Sequence, residues 1–167
     1  TRRSSDLYLI LKTQFSAGDR ISLSFPLQLR LMPEATGATV HYGALLLALP
    51  LAAETRIVRG TPPFADYEFL PCEEWRYGVC QAALSHATIT AREPGALPFD
   101  TNEPPLTVLL PLAPAPHWRA RQNSAGDVPA PYSTSEKTLV TKTLIPYGCT
   151  QLRIAQFPIA TIEEEHT

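Results

Sequence analysis

The sequence predicts an all-β domain: an antiparallel two-sheet β-sandwich of jelly-roll type, with a closed barrel as the runner-up. Three observations predict it. Apolar residues alternate with polar ones at a period of two, turn residues recur at short spacing, and prolines interrupt the chain too often for long helices. Seventeen of the 167 residues are proline, about twice the usual share. They cluster at Pro62-Pro63, Pro94 to Pro105 and Pro111 to Pro131. Each cluster ends what precedes it, because proline removes a backbone donor and fixes φ.

The elements follow in order. From Ile21 to Leu31 every odd position is apolar, with Ser22, Ser24, Pro26, Gln28 and Arg30 between them. That is a strand with one buried face, and Pro26 on the other face marks an edge or a bulge. The apolar stretch Leu7 to Phe15 and the turn Ala17-Gly18-Asp19 precede it, so the two segments read as a β-hairpin. Ala38 to Tyr42 is a third strand, ended by Gly43. Ala44 to Leu49 is continuously apolar, as expected of a strand buried on both faces. Short strands are expected at Glu54 to Arg59, Tyr67 to Leu70, Tyr77 to Gln81, Ala87 to Ala91 and Leu106 to Leu110, with a weaker one at His117 to Arg121. Asn123 to Ser135 reads as a loop. Lys137 to Ile145 resumes alternation, Pro146-Tyr147-Gly148 makes a turn, and Leu152 to Phe157 is the last strand.

A chain of 167 residues and 18.4 kDa fits one domain, here residues 1–160, followed by an acidic tail at 161–167. Fourteen basic and sixteen acidic residues leave a formal charge of -2. That balance excludes a binder of nucleic acid held by backbone electrostatics and a polybasic membrane anchor. The longest apolar run, Ala44 to Ala53, is interrupted by Pro50 and falls short of the about 20 residues a helix needs to span a bilayer. Cys72, Cys80 and Cys149 form neither a zinc pattern nor a disulfide framework. A Cys72–Cys80 bridge would suit an oxidising compartment. Free thiols in a reducing one are the simpler reading, and with the lack of a signal segment they favour the cytoplasm.

No phosphate-binding, nucleophile-elbow or zinc-protease motif is present. His41, His86, His117 and His166 are scattered, and a Cys80–His86 pair lacks a third orienting group. Asp66 and Glu68 lie two apart on an expected strand, where carboxylates ordinarily face water, cap turns or pair with a cation such as Arg76. The aromatics are more informative. Tyr67, Phe69, Trp75 and Tyr77 crowd into DYEFLPCEEWRYG, and Trp118 follows His117. Such rings lock a core, anchor a partner or stack on sugars; core or interface roles fit better. The candidate carbohydrate or interface contacts are Trp75, Tyr77, Trp118, Asp66 and Arg76.

Four stretches in order carry a resemblance: GDRISLSFPLQLRL (Gly18 to Leu31), VHYGALLLALPL (Val40 to Leu51), PPFADYEFLPCEEWRYGV (Pro62 to Val79) and LIPYGCTQLRIAQFP (Leu144 to Pro158). Together they resemble the C-terminal part of bacterial proteins of glycoside hydrolase family 127, the β-L-arabinofuranosidase-like group. The resemblance implies a β-sandwich region that follows an (α/α)6 catalytic barrel. In that group the zinc-bound cysteine nucleophile and the glutamate acid/base lie upstream of the matching region. Neither role carries over to Cys72, Cys80 or Cys149, which match no ligand motif of the family.

The expected function is therefore a non-catalytic accessory domain of a larger glycoside hydrolase, with no cofactor of its own. It would be a fragment whose partner is an upstream catalytic domain of the same polypeptide. Two alternatives stand beside it. One is a stand-alone carbohydrate-binding module with Trp75, Tyr77 and Trp118 on one exposed face. The other is a self-association domain that forms a homodimer.

Overall fold

Two glycines turn the chain at the start of the sheet. Gly37 and Gly43 have φ of +74° and +59°, a region in which side chains are strained and glycine is not. They fold β1 (Leu29–Pro33), β2 (Ala38–Tyr42) and β3 (Leu45–Pro50) into an antiparallel meander, with Val40 opposite Leu31 on one side and Leu47 on the other. The computed structural model describes residues 10–122 and 124–163. Among them are fifteen strands and three short 3-10 turns, with no α-helix. The chain is all-β, as its period-two patterning predicts.

One antiparallel sheet dominates. Beyond β3 lies β12 (Val140–Pro146), then β8 (Leu106–Pro114), then β6 (Tyr77–Gly78). β7 (Thr88–Ala91) pairs with the first half of β8. β3 is thus central, as its continuous apolar run predicts. β13 (Arg153–Ile154) pairs with Leu49 and Pro50 of β3, while β14 (Gln156–Phe157) pairs with Ala38 and Thr39 of β2. The segment 153–157 therefore fills the fork where β2 and β3 diverge, and it brings Phe157 into the core.

Three two-stranded pieces accompany this sheet. β4 (Ala53–Arg59) and β5 (Asp66–Pro71) form a hairpin with a register shift between Ile57 and Arg59. β9 (Ala120–Arg121) pairs with β10 (Ser124–Ala125), and β11 (Tyr132–Thr134) runs parallel to β15 (Ala160–Ile162).

The core lies on one face of β8 and its neighbours. Leu106, Val108, Leu110 and Leu112 are buried, and Leu109 on the other face is exposed. They pack with Val40, Leu47, Val79, Leu144 and Phe157. Burying side chains of this kind stabilises by about 1.5–3 kcal/mol each, which makes this the principal support of the fold.

Several expectations need correction. The strand expected from Ile21 begins only at Leu29; residues 10–28 carry no strand. The turn at Ala17-Gly18 does form, closed by Asp19 N–H donating to Ser16 O at 3.1 Å, but it joins no hairpin. Leu7 to Leu9 lie outside the described residues, as does His166. Alternation decides which side chains share a face; a strand also needs backbone partners, and segment 21–27 meets none among the described strands. The loop expected at Asn123 to Ser135 carries β10 and β11. β15 continues to Ile162. β8 runs on through Pro111 and Pro114, and its ladder to β12 includes Pro111 opposite Thr141.

Candidate functional site

The aromatic segment after β5 is held by one carboxylate. Pro71 closes the β4–β5 ladder opposite Ala53, and Cys72 N–H donates to Ala52 O at 2.9 Å. The chain then turns around Glu74. Its Oε1 accepts from the backbone N–H groups of Trp75 (3.1 Å) and Arg76 (2.9 Å) and from Arg76 Nε (2.7 Å). Its Oε2 accepts from Arg76 Nη2 at 2.6 Å. Such charge-assisted bonds favour the ionised carboxylate, and the Arg76 guanidinium holds Glu74 down to about 2.

The turn is fastened to the end of β8. Ala115 N–H donates to Arg76 O at 2.8 Å, and Trp118 N–H donates to Ala115 O at 2.9 Å. Trp118 is 2% exposed, and its indole Nε1 donates to Gly126 O at 3.1 Å. Trp75 is half-buried against it, with ring centroids 5.0 Å apart and planes at 69°, the edge-to-face arrangement aromatic quadrupoles favour. Tyr77 begins β6 and is 6% exposed, with Lys142 Nζ 4.9 Å from its ring centroid.

The structure thus brings Trp75, Arg76 and Trp118 together and leaves the other candidates apart. Tyr77 and Trp118 are core residues, so the three rings do not share an exposed face; only Trp75 is open to solvent. The cause is the β6–β8 pairing, which tucks Tyr77 opposite Pro114 and draws the 115–118 turn over the sheet. Asp66 lies at the other end of β5, opposite Arg59. Five strand steps separate it from Pro71, roughly 17 Å. It meets neither Trp75 nor Arg76, and the carboxylate paired with Arg76 is Glu74.

The histidines stay apart as well. His41 Nε2 hydrogen-bonds Thr39 Oγ1 at 3.1 Å, and burial followed by the charge of Arg30 pushes its pKa down. His117 packs edge-on against Tyr132, with centroids 4.7 Å apart. Cys72 is exposed, Cys80 and Cys149 are buried, and all three are free thiols. Burial raises the Cys149 pKa, with Asp100 adding to it. Cys80 is buried while His86 is exposed, so the two do not present a joint reactive surface.

Sequence reasoning missed a cleft of about 490 Å³ on one side of Trp75. Its lining comes from Leu70 and Pro71 at the end of β5 and, remote from Trp75 in sequence, from Leu51 just past β3, β13 with Leu152 before it, and the β9–β10 hairpin. Arg153 lines this cleft as well, with its guanidinium held locally. Its Nη1 donates to the carbonyls of Thr150 and Gln151, and its guanidinium lies 3.6 Å from the Tyr147 ring centroid. In sequence the QLRI segment reads only as a strand, and nothing in its spacing signals a cleft. Comparison of the chain with protein-family models, with curated proteins and with solved structures finds no match in any of the three.

Proposed function

We propose that this chain is a non-catalytic accessory β-domain, a two-sheet sandwich that packs against a catalytic domain of a larger carbohydrate-active enzyme. One observation carries the reading. Ile21, Leu23, Phe25 and Leu27 repeat at strand spacing and are 61–76% exposed. A folded domain gains about 1.5–3 kcal/mol for each such side chain it buries, and contiguous exposed apolar surface ordinarily marks an interaction site. The β4–β5 hairpin adds Ile57, Val58 and Phe64, also exposed. The ordered motifs of the family 127 resemblance supply the identity of the partner: an upstream (α/α)6 barrel in the same polypeptide. The domain's part is then to buttress that barrel from outside.

The test is the mass of the polypeptide in its native host, read by immunoblot and intact-mass spectrometry. A product several times heavier than 18.4 kDa is expected, and a native product of 18.4 kDa overturns the reading. A second measurement is hydrolysis of aryl glycosides by the 167-residue chain. None is expected; turnover that is lost on mutating this chain's own residues would overturn the non-catalytic assignment.

A further inference from the structure

The cleft beside Trp75 has the dimensions and chemistry of a small-ligand site. Its volume, about 490 Å³, falls within the roughly 300–1,000 Å³ typical of such sites. Leu51 and Ile154 contribute apolar lining, and Trp75 contributes an aromatic wall. The opposite side is open for a specific reason. Ala120 and Ala125 stand directly across from each other in the β9–β10 ladder, and both line the cleft. A cross-strand pair of methyl groups leaves a depression that a larger pair would fill.

The wall is rigid before any ligand arrives. Trp75 is fixed by its edge-to-face contact with Trp118, which is itself tied to Gly126 O. The backbone on both sides of Trp75 is clamped by Glu74. A ring held in this way loses little freedom on binding, which favours affinity. Polar residues line it as well: Gln122, Ser124 and Arg153, the last with its guanidinium engaged by the Tyr147 ring and the Thr150 and Gln151 carbonyls. Gln122 is the first turn residue between β9 and β10 and has φ of +46°. That is the sign the first position of a tight hairpin turn requires, and Gln122 lines the cleft.

We propose that this cleft binds a saccharide ring. Its apolar face stacks on the Trp75 indole, and its hydroxyls bond to Gln122 and Ser124. An aromatic wall with a polar rim suits a ligand that has one apolar face and an edge of hydroxyls. Among the described residues, no carboxylate lines the cleft. This site uses only one of the rings expected from sequence and stands independently of any packing against a catalytic domain.

The chain's two tryptophans, Trp75 and Trp118, lie 5.0 Å apart at the site, so intrinsic fluorescence reports on it. The 167-residue chain is titrated with arabino-, xylo-, galacto- and galacturono-oligosaccharides, and binding is confirmed by calorimetry. Saturable binding of at least one sugar is expected. Trp75→Ala should weaken it by about tenfold or more. Because that variant also removes the contact to Trp118, Ala120→Leu serves as the second variant. Ala120 is exposed, so Ala120→Leu should fold normally and weaken binding to the same degree by filling the cleft. Absence of saturation with every sugar overturns the proposal, and so does binding that a folded Ala120→Leu variant retains in full.

Discussion

Ile21, Leu23, Phe25 and Leu27 have the same spacing as Leu106, Val108, Leu110 and Leu112, yet the two quartets lie at opposite extremes of exposure. The first is 61–76% exposed; no member of the second exceeds 3%. The difference is in their neighbours. β8 has β12 on one edge and β6 and β7 on the other, and its apolar face is roofed by Trp118 and Phe157. Segment 21–27 has no strand beside it among the described residues. Period-two patterning therefore prepares a face for burial, and the surrounding chain decides whether burial happens. The unmet demand at 21–27 is the reason for proposing a partner.

The comparison can be broken by mutation. The largest losses belong to the buried set. Trp118→Ala and Phe157→Ala should each cost about 3–5 kcal/mol of stability, read as the urea midpoint at constant slope. Phe25→Ala should stay within about 0.5 kcal/mol in the isolated chain. Comparable losses at Phe25 and Phe157 would show that segment 21–27 is packed after all. In the longer polypeptide expected above, Phe25→Ala should become costly, which sharpens the distinction.

Turn geometry comes next. A Cβ on Gly37 would meet the Phe157 carbonyl and the Val128 side chain, and its φ is +74°. Gly37→Ala should destabilise by about 1–3 kcal/mol, measured by thermal and urea unfolding. Gly18 has a positive φ but open space around it, so Gly18→Ala should cost less. An equal cost at both would mean the Phe157 contact is unimportant.

Two titratable groups give smaller effects. Tyr132 donates from its hydroxyl to Ala113 O at 2.9 Å, and burial pushes its pKa to about 12. Because the folded value is raised, the contribution is full below the ordinary value of 10.0 and is lost as pH rises toward about 12. Tyr132→Phe should remove about 1 kcal/mol at neutral pH, and its loss should vanish above that window.

Glu74 shows the opposite sign. Its folded pKa is depressed to about 2, so its contribution is present above the ordinary 4.5 and fades as pH falls through about 2. The Glu74 side chain is 45% exposed; solvent screening limits its contribution to about 1 kcal/mol or less. Glu74→Gln should flatten the acid limb of the stability profile between those values. An unchanged acid limb would show that the Arg76 pair contributes nothing to folding.

Legibility differed among the elements for physical reasons. Ala38 to Tyr42 and the apolar run beginning at Ala44 were readable because local pattern and final burial agree there. The two strands of the β4–β5 hairpin were readable as runs on either side of Gly60 and Pro62-Pro63, but their pairing was not. The hairpin expected around Gly18 does not form among the described residues, because alternation by itself does not supply a pairing strand. At the site, the crowding of aromatics around Trp75 was visible in DYEFLPCEEWRYG. The burial of Tyr77 and Trp118 was not visible, since a buried and an exposed indole carry the same letter. The cleft could not be read at all: Leu51, Ala120, Ala125 and Arg153 are separated by up to about a hundred residues of chain.

By itself the sequence determined the class of the fold. Seventeen prolines and a period of two forbid long helices and favour pleated backbone, and both act within a few residues of chain. Only the tertiary structure decided which prepared faces are covered, that Glu74 rather than Asp66 holds Arg76, and that a cleft opens beside Trp75. Those outcomes depend on contacts between distant segments, such as residues 153–157 entering the fork between β2 and β3. Local spacing encodes direction, and only the assembled chain supplies the neighbour that lies in it.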